Sequence, residues 1–447
     1  MTSEASRPAA PPRVVIVGGG FSGAMLAARL AEAGLASTVI DRTGRFGAGV
    51  AYSTPFDGHL LNVRADRMGA VHGQPDGFVQ WLSAHHPDHA DPDAFLPRRV
   101  YGDYLRDRLA AIGRACPGRI DWIAGEAVEV TADAVRLADG RSLAADAVVL
   151  ATGNPAPRVA GQNGRGRLIA DPWAAEALEQ IEPHDDLVIL GSGLTMADTA
   201  LWLDSHGWRG RATVISRRGL RPRSHAADHA APTAPTPELC SGPLSRRLAE
   251  FRRLARSAGW RPVMEGLRPV TADLWRDADI ETRARFLRHL RAWWDVHRHR
   301  IAPSVAEGLT RMEREGRLTV MAGRIEAVAA TPTGVTVTWR PAGRADRVET
   351  TAARAIDCTG PGHAPLHAPL TAALVAAGRV RLEPLGLGLD LDEDGRAIRA
   401  DGSPDPAVFV LGPPAYAAFW ETTAVPDIRG RIERLTAVLS RQTSASR

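Results

Sequence analysis

The hydrophobic pattern changes period several times within the first forty-one residues. Arg13–Val17 is a β-branched run, and Gly18–Gly23 follows as a glycine-rich turn. Ala24–Ala33 carries alanine and leucine without interruption, as a packed helix does, and Gly34 stops it. Ser37–Ile40 is a second β-branched run, closed by Asp41. Strand, turn, helix and strand over about thirty residues is the size of a βαβ unit. The same order returns at Leu187–Leu190, Gly191–Gly193, Thr195–Ser205 and Ala212–Ser216.

Between these two units, residues 44–100 are rich in Gly, Pro and His and read as a long looped segment. Tyr101–Cys116 reads as a helix. Ile120–Leu143 reads as a small antiparallel excursion turning at Asp139-Gly140. Ala147–Leu150 is a strand-sized apolar run ending in Ala151-Thr152-Gly153. Beyond the second unit, Ala231–Glu238 is a Pro/Ala/Thr linker. From Leu244 to about Gly316 apolar residues fall at helical spacing, as in Phe286, Leu287, Leu290, Trp293 and Trp294. Strands are expected at Leu318–Ala322, Val335–Trp339, Ala355–Asp357 and Ala407–Leu411, and a closing helix over Asp427–Arg441.

These elements predict an α/β fold with two Rossmann-like dinucleotide-binding domains and an inserted helical subdomain. The expected boundaries are 1–12 for a disordered tail and 13–155 for the first part of an FAD-binding domain. Residues 156–230 and 317–345 are expected to form an NAD(P)H-binding domain, 231–316 the helical insertion, and 346–441 the returning part of the first domain.

Composition narrows the chemistry. With 44% hydrophobic and 24% charged residues the chain has the balance of a globular protein. No apolar run exceeds strand size, and residues 1–12 lack the apolar stretch of a signal peptide, so the cytoplasm is the expected compartment and no membrane partner is expected. The 447 residues include no lysine, which excludes Schiff-base chemistry and a P-loop. A net charge of +4, with scattered arginines, does not point to nucleic acid. Cys116, Cys240 and Cys358 are far apart, which excludes a CxxC pair and with it the disulfide-reductase flavoproteins.

Gly18-Gly19-Gly20-Phe21-Ser22-Gly23 matches GxGxxG between a strand and a helix. Gly18 permits the turn, Gly20 lets a pyrophosphate approach the helix N-terminus, and Gly23 lets helix and strand pack closely. Asp41, at the end of the next strand, stands where an acid grips ribose hydroxyls. The position at the start of the chain suits FAD. Gly191-Ser192-Gly193-Leu194-Thr195-Met196 is a weaker match, with Met196 at the third glycine. Arg217 and Arg218 replace an acid after its second strand, which suits the 2′-phosphate of NADPH. Ala151-Thr152-Gly153 and Asp357-Cys358-Thr359-Gly360 resemble strand ends that return to the FAD, so Thr152, Gly153 and Gly360 join the candidates. His225 and His229 stand four apart without an evident third ligand, so no metal is expected. His297 and His299 flank arginines on the helical segment, where a solvated face is the default.

Several linear segments resemble the flavin-dependent urate hydroxylase-like and aspartate N-monooxygenase-like family of FAD/NAD(P)-binding proteins. They are Gly47–Ser53, His59–Val63, Pro97–Leu105, Trp294–Arg300 and Phe419–Arg429. The resemblance runs from Arg13 to about Leu435. It implies a single-component flavoprotein in which NADPH reduces FAD and O2 then gives a C4a-(hydro)peroxyflavin that oxygenates a small polar substrate. It implies that Gly18, Gly20, Gly23 and Asp41 hold the ADP half of FAD, and that Gly49, Asn62, Val63 and Arg98 line the flavin. It also implies that Gly191, Gly193, Arg217 and Arg218 hold NADPH, and that Gly412 and Trp420–Thr423, including Thr422 and Thr423, close over the isoalloxazine. The departures are Asp41 for the commoner Glu and Met196 for Gly. Arg285, Arg288, Arg291 and Arg298 would offer partners for a carboxylate or an anionic purine. Two other readings stay open: an NADPH-dependent flavin reductase or dehydrogenase serving another acceptor, and a non-catalytic FAD-binding redox sensor. Substrate identity and oligomeric state are not legible.

Overall fold

The computed structural model describes residues 13–155, 166–174, 176–226, 230–360 and 365–445. Two compact units emerge. The first comprises Met1–Pro55, Arg64–Pro155 and His363–Arg447, and the second Phe56–Val63 and Ala156–Gly362.

In the first unit a six-stranded sheet runs in the order Arg396–Ile398, Pro404–Val410, Ala147–Leu150, Val14–Val17, Ser37–Asp41, Ile120–Ala124. Val14–Val17 is buried at all four residues, as a continuous apolar run in a central parallel strand must be. It pairs in parallel with Ser37–Asp41 on one side and Ala147–Leu150 on the other. The helix Phe21–Glu32 covers this sheet, with Ala24, Leu26 and Ala27 fully buried. The long closing helix Val425–Ala445 is tied to it by Arg29 and Glu433 at 2.7 Å. Val15, Val17, Leu150, Val408 and Val410 build a core cluster with Leu370 and Leu374 of the helix Pro369–Ala376.

Two expectations change here. Ile120–Ala124 is not part of an antiparallel excursion but a parallel edge strand beside Ser37–Asp41. Its half-exposed sequence IDWIA hides that role, because an edge strand has no buried run to betray it. The excursion is the smaller sheet Ala127–Val130, Ala134–Leu137 and Ser142–Ala144, with Gly140 at φ +88° before its last strand. The loop-like stretch 44–100 also contains the helices Gly49–Tyr52 and Gly77–His85, both masked by flanking glycine and histidine.

The second unit carries a seven-stranded sheet in the order Val348–Ala352, Val335–Pro341, Leu318–Ala330, Ala212–Ser216, Leu187–Leu190, Arg354–Asp357, Leu168–Ile169. Leu187–Leu190 is again wholly buried. Leu318–Ala330 is thirteen residues long, so it serves first the parallel sheet and then an antiparallel ribbon around Trp339. Between Ala212–Ser216 and Leu318 the chain is helical, from Pro237–Cys240 to Pro303–Arg314. Asp204, at the end of the helix Leu194–Ser205, gathers Arg311 at 2.5 Å and Arg317 at 2.6 Å.

Arg354–Asp357 pairs in parallel with Leu187–Leu190. The segment Asp357-Cys358-Thr359-Gly360 therefore ends a strand of the second unit and does not return to the first. The return is made by Pro404–Val410, which pairs with Ala147–Leu150. Among the described residues no helix is long and apolar enough to cross a membrane.

Candidate functional site

The first glycine turn is shaped by contacts that forbid a side chain. Gly18 has φ +112°, and a Cβ there would strike the Ala151 carbonyl. A Cβ at Gly23 would strike the carbonyl of Gly18, so helix and strand meet backbone to backbone. A Cβ at Gly20 would lie 3.6 Å from Gly49 Cα, so the short helix Gly49–Tyr52 stands against the turn. Gly412 at φ +75° sits against Ser22, so Gly18, Gly20, Ser22, Gly23, Gly49 and Gly412 converge at one end of the sheet. Thr152 and Gly153 follow the neighbouring strand there, and Gly153 faces open space.

Asp41 does more than its position predicts. One carboxylate oxygen accepts from the Gly19 amide at 2.9 Å and holds the turn closed. The other accepts from the Thr43 amide at 2.8 Å and the Thr43 hydroxyl at 2.6 Å. Thr43 was missed in the sequence, although an acid two residues before a threonine is the signature of an Asx turn.

Phe21 begins the helix and packs edge-on against Tyr52 at 6.3 Å, and Tyr52 meets Tyr101 at 4.7 Å. Burial pushes the Tyr52 phenol up to about 12, with Arg98 pulling the other way. Burial also raises the Tyr101 phenol well above its ordinary value, and its hydroxyl has no hydrogen-bond partner. Arg98 opens the helix Arg98–Ala115, one element with Tyr101.

Trp420 is a buried non-glycine residue at φ +58°, a conformation that costs about 1–3 kcal/mol. Its backbone N–H donates to the Tyr416 carbonyl at 2.8 Å. Thr422 is 1% exposed, and its hydroxyl has no hydrogen-bond partner. Thr423 beside it is exposed. A buried hydroxyl without a partner, in a strained turn, has the chemistry of a ligand contact.

The second unit repeats the construction with different residues. Gly191 has φ +94°, and a Cβ there would lie 2.5 Å from the Cys358 carbonyl, the counterpart of Gly18 and Ala151. Asp357 accepts from the Thr359 amide at 2.9 Å and its hydroxyl at 2.6 Å, repeating the Asx turn of Asp41 and Thr43. Gly193 and Gly360 face open space. Met196, in place of the third glycine, is fully buried on the helix. The Ser192 hydroxyl lies 2.7 Å from Ser216 Oγ and 2.5 Å from the Leu220 carbonyl, a clamp the glycine pattern does not reveal. Arg217 and Arg218 are exposed and form no ion pair among the described residues.

Asn62 and Val63 fall in the second unit, where the Asn62 carbonyl lies 3.0 Å from His225 Nε2. His229 lies outside the described residues. Among those described, no group of three His, Cys, Asp or Glu could hold a metal. His297 Nδ1 lies 2.7 Å from the Trp293 carbonyl. Burial pushes the Cys358 thiol up to about 12, with Thr199 in contact, so this cysteine is not a thiolate. Arg285 and Arg291 pair with Glu281 and Asp295 one turn away.

Residues 15–155 match the family described as FAD-NAD(P)-binding. Three solved structures share the fold over nearly the whole chain. The ornithine N-hydroxylase of Kutzneria sp. 744 is 15% identical, with a TM-score of 0.67, over 97% of this chain and 100% of that one. The FAD-bound cadaverine monooxygenase of Erwinia amylovora is 16% identical, with a TM-score of 0.66, over 98% and 95%. The ornithine hydroxylase of Pseudomonas aeruginosa is 18% identical, with a TM-score of 0.61, over 97% and 99%. At these identities the likeness is one of fold: the chain is a two-unit α/β protein with the architecture of flavin- and NADP-binding N-hydroxylases.

Proposed function

We propose that this chain is a single-component, FAD-dependent, NADPH-using monooxygenase acting on a small polar substrate. The observation that carries the reading is the pair of glycine turns, one in each unit, each packed so closely on a small-residue strand end that its first glycine admits no side chain. A protein that merely bound one flavin would need only one.

In this reading Gly18, Gly20, Phe21, Ser22, Gly23 and Asp41 hold the ADP half of FAD, with Gly49, Thr152, Gly153 and Gly412 allowing close backbone approach. Arg98, Trp420, Thr422 and Thr423 line the flavin, and Thr422 donates to it the hydroxyl proton that has no other acceptor. Asn62 and Val63, given to the lining by the resemblance alone, belong to the second unit. Gly191, Gly193 and Gly360 admit NADPH, and Arg217 and Arg218 bind its 2′-phosphate. Bound FAD supplies hydride acceptance from NADPH and activation of O2; the protein orients it and excludes water.

The ornithine and cadaverine enzymes bear the names of amine-containing molecules, which favours an amino acid or amine nitrogen over a purine such as urate. The three cysteines are unpaired, which counts against a dithiol relay to another acceptor. Purified protein incubated with NADPH, O2 and a panel of amines and amino acids tests the reading. A hydroxylated product formed in step with NADPH consumption is expected. NADPH oxidation that yields only hydrogen peroxide with every candidate, but reduces an added electron acceptor, would transfer the assignment to a reductase.

A further inference from the structure

Three arginines of the second unit lie on adjoining segments of the chain. The chain after the basic run crosses the end of the helix Arg291–Arg298: the Arg223 amide donates to the Val296 carbonyl at 2.9 Å. Ile301 and His225 continue the pairing, with Ile301 N–H on the Arg223 carbonyl at 3.0 Å and His225 N–H on Ile301 at 3.0 Å. This sets the Arg223 backbone beside Ile301, the residue after Arg300. Arg261, on the helix Trp260–Leu267, donates through Nη2 to the Ser224 carbonyl at 2.9 Å. Its guanidinium lies 4.4 Å above the Trp260 ring, which His297 meets edge-on at 4.7 Å. Glu265, one turn along the same helix, pairs with Arg300.

Of the three guanidinium groups, Arg300 has Glu265 as its carboxylate partner. Among the described residues no carboxylate pairs with Arg223 or Arg261. Arg300 is only 6% exposed, and its Nε has no hydrogen-bond partner; nor has the buried Nε of Arg261. Burial lowers the pKa of both groups, and neighbouring arginines add to the effect, Arg223 on Arg261 and Arg298 on Arg300. The buried Nε atoms of Arg261 and Arg300, without partners and beside further positive charge, are unfavourable unless an anion joins them.

We propose that Arg223, Arg261 and Arg300 form a binding site for a small oxyanion. Arginine forks match carboxylate and phosphate oxygens two at a time, and the Trp260 face holds the Arg261 plane in place. The anion has two possible sources, the phosphate monoester of a nucleotide or a free carboxylate.

Calorimetric titration of the full chain with inorganic phosphate, 2′-AMP and succinate, in a buffer without other multivalent anions, tests the site. At least one anion should bind, and Arg261→Gln should weaken it at least tenfold, about 1.4 kcal/mol. Arg261→Lys should retain part of the affinity, and Arg223→Gln should repeat the loss. Weakened 2′-AMP binding with little change for succinate assigns the site to a nucleotide phosphate; the reverse assigns it to a free carboxylate. The anion should also raise the unfolding temperature of the wild type and not that of Arg261→Gln. Absence of binding to the wild type would overturn the proposal, as would equal affinities in all variants, or a loss confined to Arg217→Gln and Arg218→Gln. Anion binding and unfolding are read without flavin turnover, so this result is separable from that of the monooxygenase assay.

Discussion

At the scale of single residues the first glycine turn makes the sharpest demands. Gly18→Ala adds a side chain at φ +112° and drives it into the Ala151 carbonyl. Strain of this kind costs about 1–3 kcal/mol or more, and the variant should melt several degrees lower and purify with little FAD. Both follow from a thermal scan and the flavin absorbance ratio. Thr422→Val should behave in the opposite way. The hydroxyl it removes is buried and without a partner, so the flavin-free protein should be as stable as the wild type or more so. FAD affinity should fall about tenfold, in line with the loss of one hydrogen bond. Unchanged FAD affinity would remove Thr422 from the flavin contacts. Of these residues, Gly18, Gly23 and Asp41 were legible in the sequence because spacing alone marks them. Thr422 entered only by resemblance, and its buried hydroxyl needed the fold. The contact between Gly412 and Ser22 joins residues nearly 400 positions apart, and no local pattern carries it.

Among the elements, the run after Ala212–Ser216 should set the choice of nicotinamide cofactor. Replacing Arg217 and Arg218 by Gln should raise the KM for NADPH at least tenfold and leave that for NADH nearly unchanged, as steady-state kinetics with both cofactors would reveal. The hairpin of Arg396–Ile398 and Pro404–Val410 depends on Asp405, which is wholly buried. Burial pushes its pKa up, but the Ala407 amide and the guanidiniums of Arg399 and Arg379 hold it below the usual 3.8. A lowered folded-state pKa contributes stability above the unfolded value, and that stability is lost as pH falls through the folded value. Asp405→Asn should cost about 3–5 kcal/mol at neutral pH, and its deficit in denaturant melts should shrink below about pH 4. Element identity was legible where burial is one-sided or complete, as in Val14–Val17. It failed at Ile120–Ala124, whose exposed edge carries no period. It also failed at Asp357–Gly360, because the two strand ends are chemically alike and only hydrogen-bonded pairing tells which sheet each one serves.

For the whole molecule, two sheets built on one plan imply separate stability demands. The closing helix Val425–Ala445 packs on Phe21–Glu32, so removing residues from 425 onward should uncover that helix and abolish FAD retention in the soluble fraction. Circular dichroism and the absorbance ratio would record it; a truncated chain that still purifies yellow would contradict this packing role. The count of two nucleotide folds was legible at this scale because each announces itself within one βαβ unit. The division of later strands between them was not, since it depends on contacts across the second unit's entire length.

The threading of the first unit also has a consequence in time. Of its strands, Val14–Val17 and Ser37–Asp41 are made first, and Pro404–Val410 leaves the ribosome last. The second unit, apart from Phe56–Val63 a continuous stretch, is completed before that strand exists. During translation the edge of Ala147–Leu150 therefore stays unpaired on one side for about 250 residues, tens of seconds at ordinary elongation rates of about 5–20 residues per second. A nascent chain with an open apolar strand edge is a natural client for a chaperone until Pro404–Val410 arrives.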